Sequence, residues 1–175
     1  MRVVITGGPG TGKTSIIESL EKMNFSVFSE SSREVTKKYK NNNFEQYFLS
    51  NPLDFSNILM GERKKQFEKG SKSKNHYFFY DRGIPDILAY LNFKKIEYKS
   101  SMMKDILKFN YDAIFIAEPW EAIYKNDSER YETFDELLEI DINIKKIYKQ
   151  LGYNIIIIPK ESVKDRVTFI LETLN

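Results

Sequence analysis

Five short apolar runs punctuate the chain, at residues 2–6, 25–29, 76–80, 113–117 and 153–158. Each has the length of a strand buried on both faces. The first, third and fifth are rich in β-branched or aromatic side chains, which fit a pleated surface. Longer stretches with helical spacing lie between them. Ile16, Ile17, Leu20 and Met23 form one buried stripe of a helix predicted over 15–23. Further helices are predicted over 53–69 and 134–151. In the latter, Leu137, Leu138, Ile140, Ile142, Ile144, Ile147, Tyr148 and Leu151 supply the core face, and Gly152 stops the helix. A last helix covers 163–174, with Ser162 as its N-cap. Strand and helix in alternation predict an α/β fold, a parallel sheet with helices on both faces. No repeat and no Pro/Gly/Ser linker divides the chain, so one domain is expected over 1–175, with 41–43 and 70–75 as polar loops.

The first strand runs into Gly7-Gly8-Pro9-Gly10-Thr11-Gly12-Lys13-Thr14, and a helix follows at about Lys13. Strand, glycine-rich turn, Lys-Thr and helix in that order make a P-loop. Backbone N–H groups of such a turn converge on phosphate oxygens, and the helix N-terminus adds its own donors and dipole. A side chain at Gly7 or Gly12 would obstruct that backbone path. Lys13 is expected to reach the β- and γ-phosphates, and the Thr14 hydroxyl to bind Mg2+, a cation that prefers hard oxygen ligands. The expected nucleotide-binding positions are Gly8, Pro9, Gly10, Thr11, Gly12, Lys13, Thr14 and Ser15, the last simply as the next helix residue.

A P-loop also needs a carboxylate at the end of a neighbouring strand to organise the magnesium. Asp81 closes the aromatic third run, and Arg82-Gly83 turns the chain at the sheet edge where α/β proteins bind ligands. Asp81 is either that magnesium-shell carboxylate or a turn and helix-capping residue. Arg82 stands where water-activating ATPases carry a glutamate. It suits a substrate phosphate or hydroxyl, or charge on a transferred phosphoryl group, with a surface ion pair as the alternative. Glu30 closes the second run at the same edge. It can accept the proton of an attacking hydroxyl or hold a sugar hydroxyl, or merely cap the helix that follows. Arg33, one helical turn on, can hold a substrate anion or pair with a surface acid.

After the fourth run a polar, turn-rich stretch at about 119–133 interrupts the rhythm of the fold. It reads as a lid that excludes water and brings a cation, Arg130 or Lys125, to the transferring phosphate. Asp127 can position Arg130 or cap the next helix. Trp120, the lone tryptophan, can stack on a base or anchor the loop. The alternative is an ordinary charged loop.

Composition narrows the classes. The 27 basic and 25 acidic residues are interspersed and nearly cancel, so no nucleic-acid partner is expected. The clusters Arg63-Lys64-Lys65 and Lys145-Lys146 read as solvated helix faces. Cysteine is absent, which excludes disulfides and thiolate chemistry, and the single histidine, His76, has no second histidine with which to share a metal. No apolar run approaches the roughly 20 residues of a membrane span. The N-terminus opens straight into a strand rather than a signal peptide, and a cytoplasmic location is expected.

Taken together, residues 7–14, Ser29-Glu30-Ser31-Ser32-Arg33-Glu34, Tyr80-Asp81-Arg82-Gly83, and Trp120 followed by Asn126-Asp127 and Arg130 resemble the AAA-labelled ATP-binding P-loop family related to nicotinamide riboside kinase domains. The resemblance runs on through Leu151-Gly152-Tyr153 and Asp165-Arg166-Val167. Thymidylate and deoxynucleoside kinases are more distantly similar. The resemblance implies a nucleoside-kinase-like three-layer αβα P-loop fold with a five-stranded parallel sheet in order 2-3-1-4-5. It implies ATP, with GTP as the alternative, and Mg2+ at Lys13, Thr14 and Asp81. It supports an acceptor-side role for Glu30 and Arg33 and a lid role for Arg130. With the readings of Arg82 and Trp120 above, the expected substrate-binding set is Glu30, Arg33, Arg82 and Trp120, and the expected catalytic set is Lys13, Glu30, Asp81, Arg82 and Arg130. No adenylyltransferase domain accompanies it, so a bifunctional NAD-biosynthesis protein is not expected.

The expected function is an ATP/Mg-dependent phosphotransferase acting on a small-molecule acceptor of nucleoside or ribosyl type, as a monomer or homodimer. The alternative class is a nucleotide-hydrolysing switch that signals to a protein partner, although the guanine-reading Asn-Lys-x-Asp motif is absent. A remodelling ATPase is disfavoured because no glutamate follows Asp81.

Overall fold

The computed structural model describes residues 1–30, 32, 35, 51–71, 76–124 and 132–174. Five parallel strands form one sheet: β1 (Arg2–Thr6), β2 (Ser26–Phe28), β3 (Phe78–Asp81), β4 (Ala113–Ile116) and β5 (Ile155–Ile157), in spatial order 2-3-1-4-5. The described helices are α1 (Lys13–Lys22), α2 (Pro52–Ser71), α3 (Asp86–Phe93), α4 (Ser100–Ile106), α5 (Phe134–Gln150) and α6 (Val163–Leu174), with a 3₁₀ turn at Glu121–Ile123.

Side-chain alternation along the strands builds the three layers. Val4, Phe78, Tyr80, Ile114 and Ile116 point to one face, where α2, α3 and α5 bury Leu59, Leu88 and Ile144 against them. Val3, Ile5, Phe79 and Phe115 point to the other, against Ile16 and Leu20 of α1 and Val167 and Ile170 of α6. Register aligns the strand ends: Ile5 lies opposite both Asp81 and Phe115, and Phe28 opposite Tyr80. Everything just beyond, Gly7, Glu30, Arg82 and Ala117, therefore emerges at one edge of the sheet.

The capping expectations hold where the geometry can be read. The Asp165 N–H donates to the Ser162 hydroxyl at 3.2 Å, and Gly152 takes a left-handed φ of 86° just past α5. A capping box of Thr133 and Glu136 opens α5.

Several expectations need correction. His76 precedes β3 rather than opening it, while Asp81 ends the strand as expected. Met23, Leu138 and Ile142 are exposed, not core. The buried residues of α5 are Leu137, Ile140, Asp141, Ile144, Ile147 and Tyr148. Ile142 is two residues from Ile140, about 200° around the helix at 3.6 residues per turn, so it faces water. Two helices carry no readable signal in the sequence. Six of the eight residues of α3 are buried, which erases the amphipathic period, and α4 is short with only Ile106 buried. Gly70 and Ser71 belong to α2 and not to a loop. Residues 41–43 and 72–75 lie outside the described residues. Among the described residues no helix is long and apolar enough to cross a membrane.

Candidate functional site: a phosphate loop and a buried carboxylate–arginine cluster

The loop between β1 and α1 owes its shape to three glycines at positive φ: Gly7 at 143°, Gly10 at 73° and Gly12 at 81°. At Gly7 the requirement is also steric. A Cβ there would stand 2.1 Å from the Ala117 carbonyl oxygen, and Ala117 is itself held by its N–H bond to the Thr6 carbonyl at 2.8 Å. Gly12 is the N-cap of α1 and supplies no side-chain cap. The N–H groups at the helix start are thereby left for a ligand, the usual arrangement of an anion site.

Lys13 folds back over this loop. Its ammonium donates to the Gly8 carbonyl at 2.6 Å and to the Thr11 hydroxyl at 3.2 Å, and Thr11 in turn donates to Gly8 at 3.0 Å. Burial lowers the lysine's pKa to about 7, and the neighbouring Arg82 charge pushes the same way. Thr14 and Ser15 are exposed on the open side of the loop, and Pro9 and Gly10 are half-buried.

The second half of the site is a buried charge cluster. Arg82 leaves β3 in the left-handed region, φ 71°, while its N–H still continues the ladder to the Ile5 carbonyl at 3.0 Å. That turn aims the guanidinium at the phosphate loop. Nη1 donates to the Gly7 carbonyl at 2.8 Å, Nε pairs with Glu30, and the Tyr90 ring lies 5.2 Å from the guanidinium carbon. Glu30 also takes Arg63 at 2.9 Å and the Ser32 N–H at 3.3 Å. Burial alone would raise the Glu30 carboxyl, but Arg82 and Arg63 outweigh it and hold the pKa at about 2. Asp81, 7% exposed, has the opposite character. Burial and then the Glu30 charge raise its pKa, and its Oδ1 has no hydrogen-bond partner among the described residues.

Fully buried Asp86 fixes the geometry of this cluster. It accepts from the Thr6 hydroxyl, from the Gly83 N–H at 2.9 Å and from the Tyr148 hydroxyl at 2.7 Å, and lies 3.6 Å from Arg82. One carboxylate thus joins the end of β1, the β3 turn and α5, the kind of fully satisfied buried network that fixes a unique geometry.

Arg82 and Arg63 are not surface residues. They are 9% and 3% exposed, which corrects both the surface-pair alternative for Arg82 and the solvated-face reading of Arg63. The signal for Arg63 was in the pattern: it continues the stripe Phe55, Leu59, Met60 of α2 at helical spacing. Asp86 and Tyr90 were missed because they sit inside α3, the helix without a readable period. Trp120 is half-buried and begins the 3₁₀ turn, whose Ile123 packs 3.4 Å from where a Gly12 Cβ would be. The two described ends of the 119–133 segment meet, the Tyr124 hydroxyl donating to the Glu132 carbonyl at 2.9 Å. Arg33, Lys125, Asn126, Asp127 and Arg130 lie outside the described residues.

A family model described as an AAA domain matches residues 2–166. The chain belongs to the AAA-domain family. No curated protein sequence matches it significantly. Among solved structures, this AAA-domain chain is similar over its full length to deoxyadenosine kinase from M. mycoides with bound dATP, at 17% identity, with all of that chain covered and a TM-score of 0.73. The NadR protein in complex with NR matches 99% of the chain at 17% identity and a TM-score of 0.69, and the match spans 49% of NadR. Thymidylate kinase from Candida albicans matches 99% of the chain and is itself covered over 90%, at 15% identity and a TM-score of 0.69. At these identities the likeness is one of fold: the AAA-domain chain has the architecture of the P-loop nucleoside and nucleotide kinases.

Proposed function

We propose that this protein is a P-loop kinase that transfers the γ-phosphoryl group of ATP to a hydroxyl of a small nucleoside or ribosyl acceptor. The observation that carries the reading is the direct bond between the two half-sites, Arg82 to the Gly7 carbonyl, with the same guanidinium paired to Glu30. In a water-activating ATPase the second carboxylate directly follows the strand aspartate, and here Arg82 takes that place while Glu30 stands just past the end of the neighbouring strand, held by two buried arginines. A transferase has a use for a carboxylate so placed, because its acceptor must be aligned with the phosphorus.

In this reading ATP with Mg2+ supplies the transferable phosphoryl group and the charge neutralisation around it. The residues fit that group. The Thr14 hydroxyl is exposed at the loop mouth, and the buried Asp81 Oδ1 lacks a partner that a metal-bound water would provide. Among the described residues no three metal-ligating side chains converge, which suits an ion that takes most of its ligands from phosphate and water. Lys13 exchanges its bonds to Gly8 and Thr11 for phosphate oxygens. Glu30 orients the acceptor hydroxyl as a hydrogen-bond acceptor, and a pKa near 2 makes it a poor general base. Arg82 steadies charge between loop and acceptor. Arg33 and Trp120 complete the acceptor side in this proposal, and Arg130 closes over the γ-phosphate from the lid. The names of two solved neighbours, a deoxyadenosine kinase and NadR in complex with NR, support the same acceptor class.

The reading is tested by ADP release from ATP and Mg2+ with nucleosides, ribosyl compounds and nucleoside monophosphates in turn, Lys13→Ala serving as the control. One acceptor raising ADP release many-fold supports it. Tight nucleotide binding with no stimulation by any acceptor moves the protein to the switch class.

The lowered lysine pKa adds a pH prediction. Lys13, with a pKa of about 7 in the free protein, is largely neutral at pH 8, and triphosphate binding favours its charged form. ATP binding at pH 8 is therefore expected to take up about one proton. Calorimetry in two buffers of different ionisation enthalpy measures this. Uptake that is absent at pH 8, or unchanged in Lys13→Ala, contradicts it.

A further inference from the structure

Arg166 lies in the first turn of α6, far along the chain from the phosphate loop, yet its guanidinium sits against that loop. Nη2 donates to the Thr11 carbonyl at 3.0 Å, and Nη1 stands 2.7 Å from where a Gly12 Cβ would be. The residue is 3% exposed, and among the described residues its Nε has no hydrogen-bond partner and no carboxylate pairs with it. Burial, with no opposing attraction, lowers its pKa. A buried cation without a counter-charge is costly, and a protein of this size gains nothing in stability from keeping one.

The bond it makes explains why it is kept. The Thr11 carbonyl and the Gly12 N–H belong to one trans peptide group, so they point in opposite directions. A guanidinium on the carbonyl side leaves the N–H facing the loop interior and polarises it as a donor. The positive φ of Gly12 and the lack of any side chain there let the arginine come this close.

We propose that Arg166 is a positioning residue of the nucleotide site: it holds and polarises the Thr11–Gly12 peptide so that the Gly12 N–H donates to a phosphate, whose charge is the counter-charge that no carboxylate among the described residues gives Arg166. This rests on the reading of the loop as a triphosphate site. The arginine acts through the peptide and does not touch the nucleotide. Its cost is carried by the free protein and recovered on binding, so its removal has effects of opposite sign on stability and affinity.

The test uses Arg166→Gln, which keeps a donor for the Thr11 carbonyl and removes the charge, and Arg166→Met, which removes both. Kd values for ATP, ADP and adenosine are measured together with the melting temperature of the nucleotide-free protein. For Arg166→Gln we expect ATP binding weakened about tenfold, the scale of a charge-assisted hydrogen bond. The loss should be smaller for ADP and absent for adenosine, and the nucleotide-free melting temperature equal to or above that of the wild type. Arg166→Met should lose more affinity. ATP affinity within about twofold of wild type in Arg166→Gln, or in Arg166→Met should the first not fold, overturns the inference. A lower melting temperature with affinity unchanged would make Arg166 a structural prop. An equal loss with adenosine would assign it to the base and also overturn the proposal. Wild-type protein that fails to bind ATP, or Lys13→Ala that binds it as tightly, defeats the nucleotide-site reading itself and this inference with it.

Discussion

Glu30→Gln should cost the enzyme about 10²–10³-fold in acceptor-dependent turnover while sparing ATP affinity, the range seen when one preorganised electrostatic partner is removed. The substitution preserves shape and an acceptor oxygen but removes the charge that two buried guanidiniums share, Arg82 on one side and Arg63 at 2.9 Å on the other. Among the described residues Arg82 then keeps Asp86, at 3.6 Å, as its one ion-pair partner, and its hold on the Gly7 carbonyl no longer aligns acceptor with loop. Stability should fall as well, by about 3 kcal/mol, because breaking a buried pair strands the remaining charges. The pH dependence has a defined sign. The Glu30 pKa is depressed from an ordinary 4.5 to about 2, so the unfolded chain binds the extra proton between those values. Its contribution is complete above pH 4.5 and is lost as pH falls toward 2, an amount of about 3 kcal/mol. Denaturant titrations from pH 6 down to 2 should show that loss in the wild type and not in Glu30→Gln. Parallel acid lability in the two proteins would detach Glu30 from the arginines energetically, and full turnover in the variant would remove it from the mechanism.

Gly7→Ala carries the second large effect. The new methyl would lie 2.1 Å from a backbone oxygen that cannot yield without breaking the β1–β4 ladder, and φ of 143° is closed to alanine besides. A loss above roughly 4 kcal/mol, or failure to fold, is expected from a clash of this kind. Gly152→Ala is the matched control. It too has positive φ, 86°, but nothing lies within 4 Å of the added carbon, so only the backbone preference is lost, about 1–2 kcal/mol. Unfolding midpoints for the two variants separate sterics from dihedral strain. Similar small losses at both positions would mean that Ala117 can move aside, and that the loop is less tightly set against β4 than the geometry requires.

How far the sequence could be read follows from which interactions are local. The phosphate loop was legible because strand, glycines, Lys13, Thr14 and helix are contiguous. Asp81 and Glu30 were legible because parallel strands of equal polarity bring their ends to one edge. The strand order itself rested on the family resemblance, since buried parallel strands look alike and nothing in their composition orders them. Arg63, Asp86 and Arg166 act across 33, 80 and 155 residues of chain, so their partners are set by packing alone. Arg63 illustrates the difficulty. A basic run normally marks a wet surface, and only its place on the apolar stripe of α2 distinguishes it from Lys64 and Lys65. In α5 the reverse error arose, because Leu138 and Ile142 are apolar yet lie on the outer face.

The most direct test of the central claim follows the γ-phosphate. With ATP labelled at the γ-position, Mg2+ and the stimulating acceptor present, the account predicts label in the acceptor, lost in Lys13→Ala and strongly reduced in Glu30→Gln. Label recovered only as inorganic phosphate, at the same rate with and without every acceptor, would contradict it and make the Glu30–Arg82 cluster part of a hydrolase or switch.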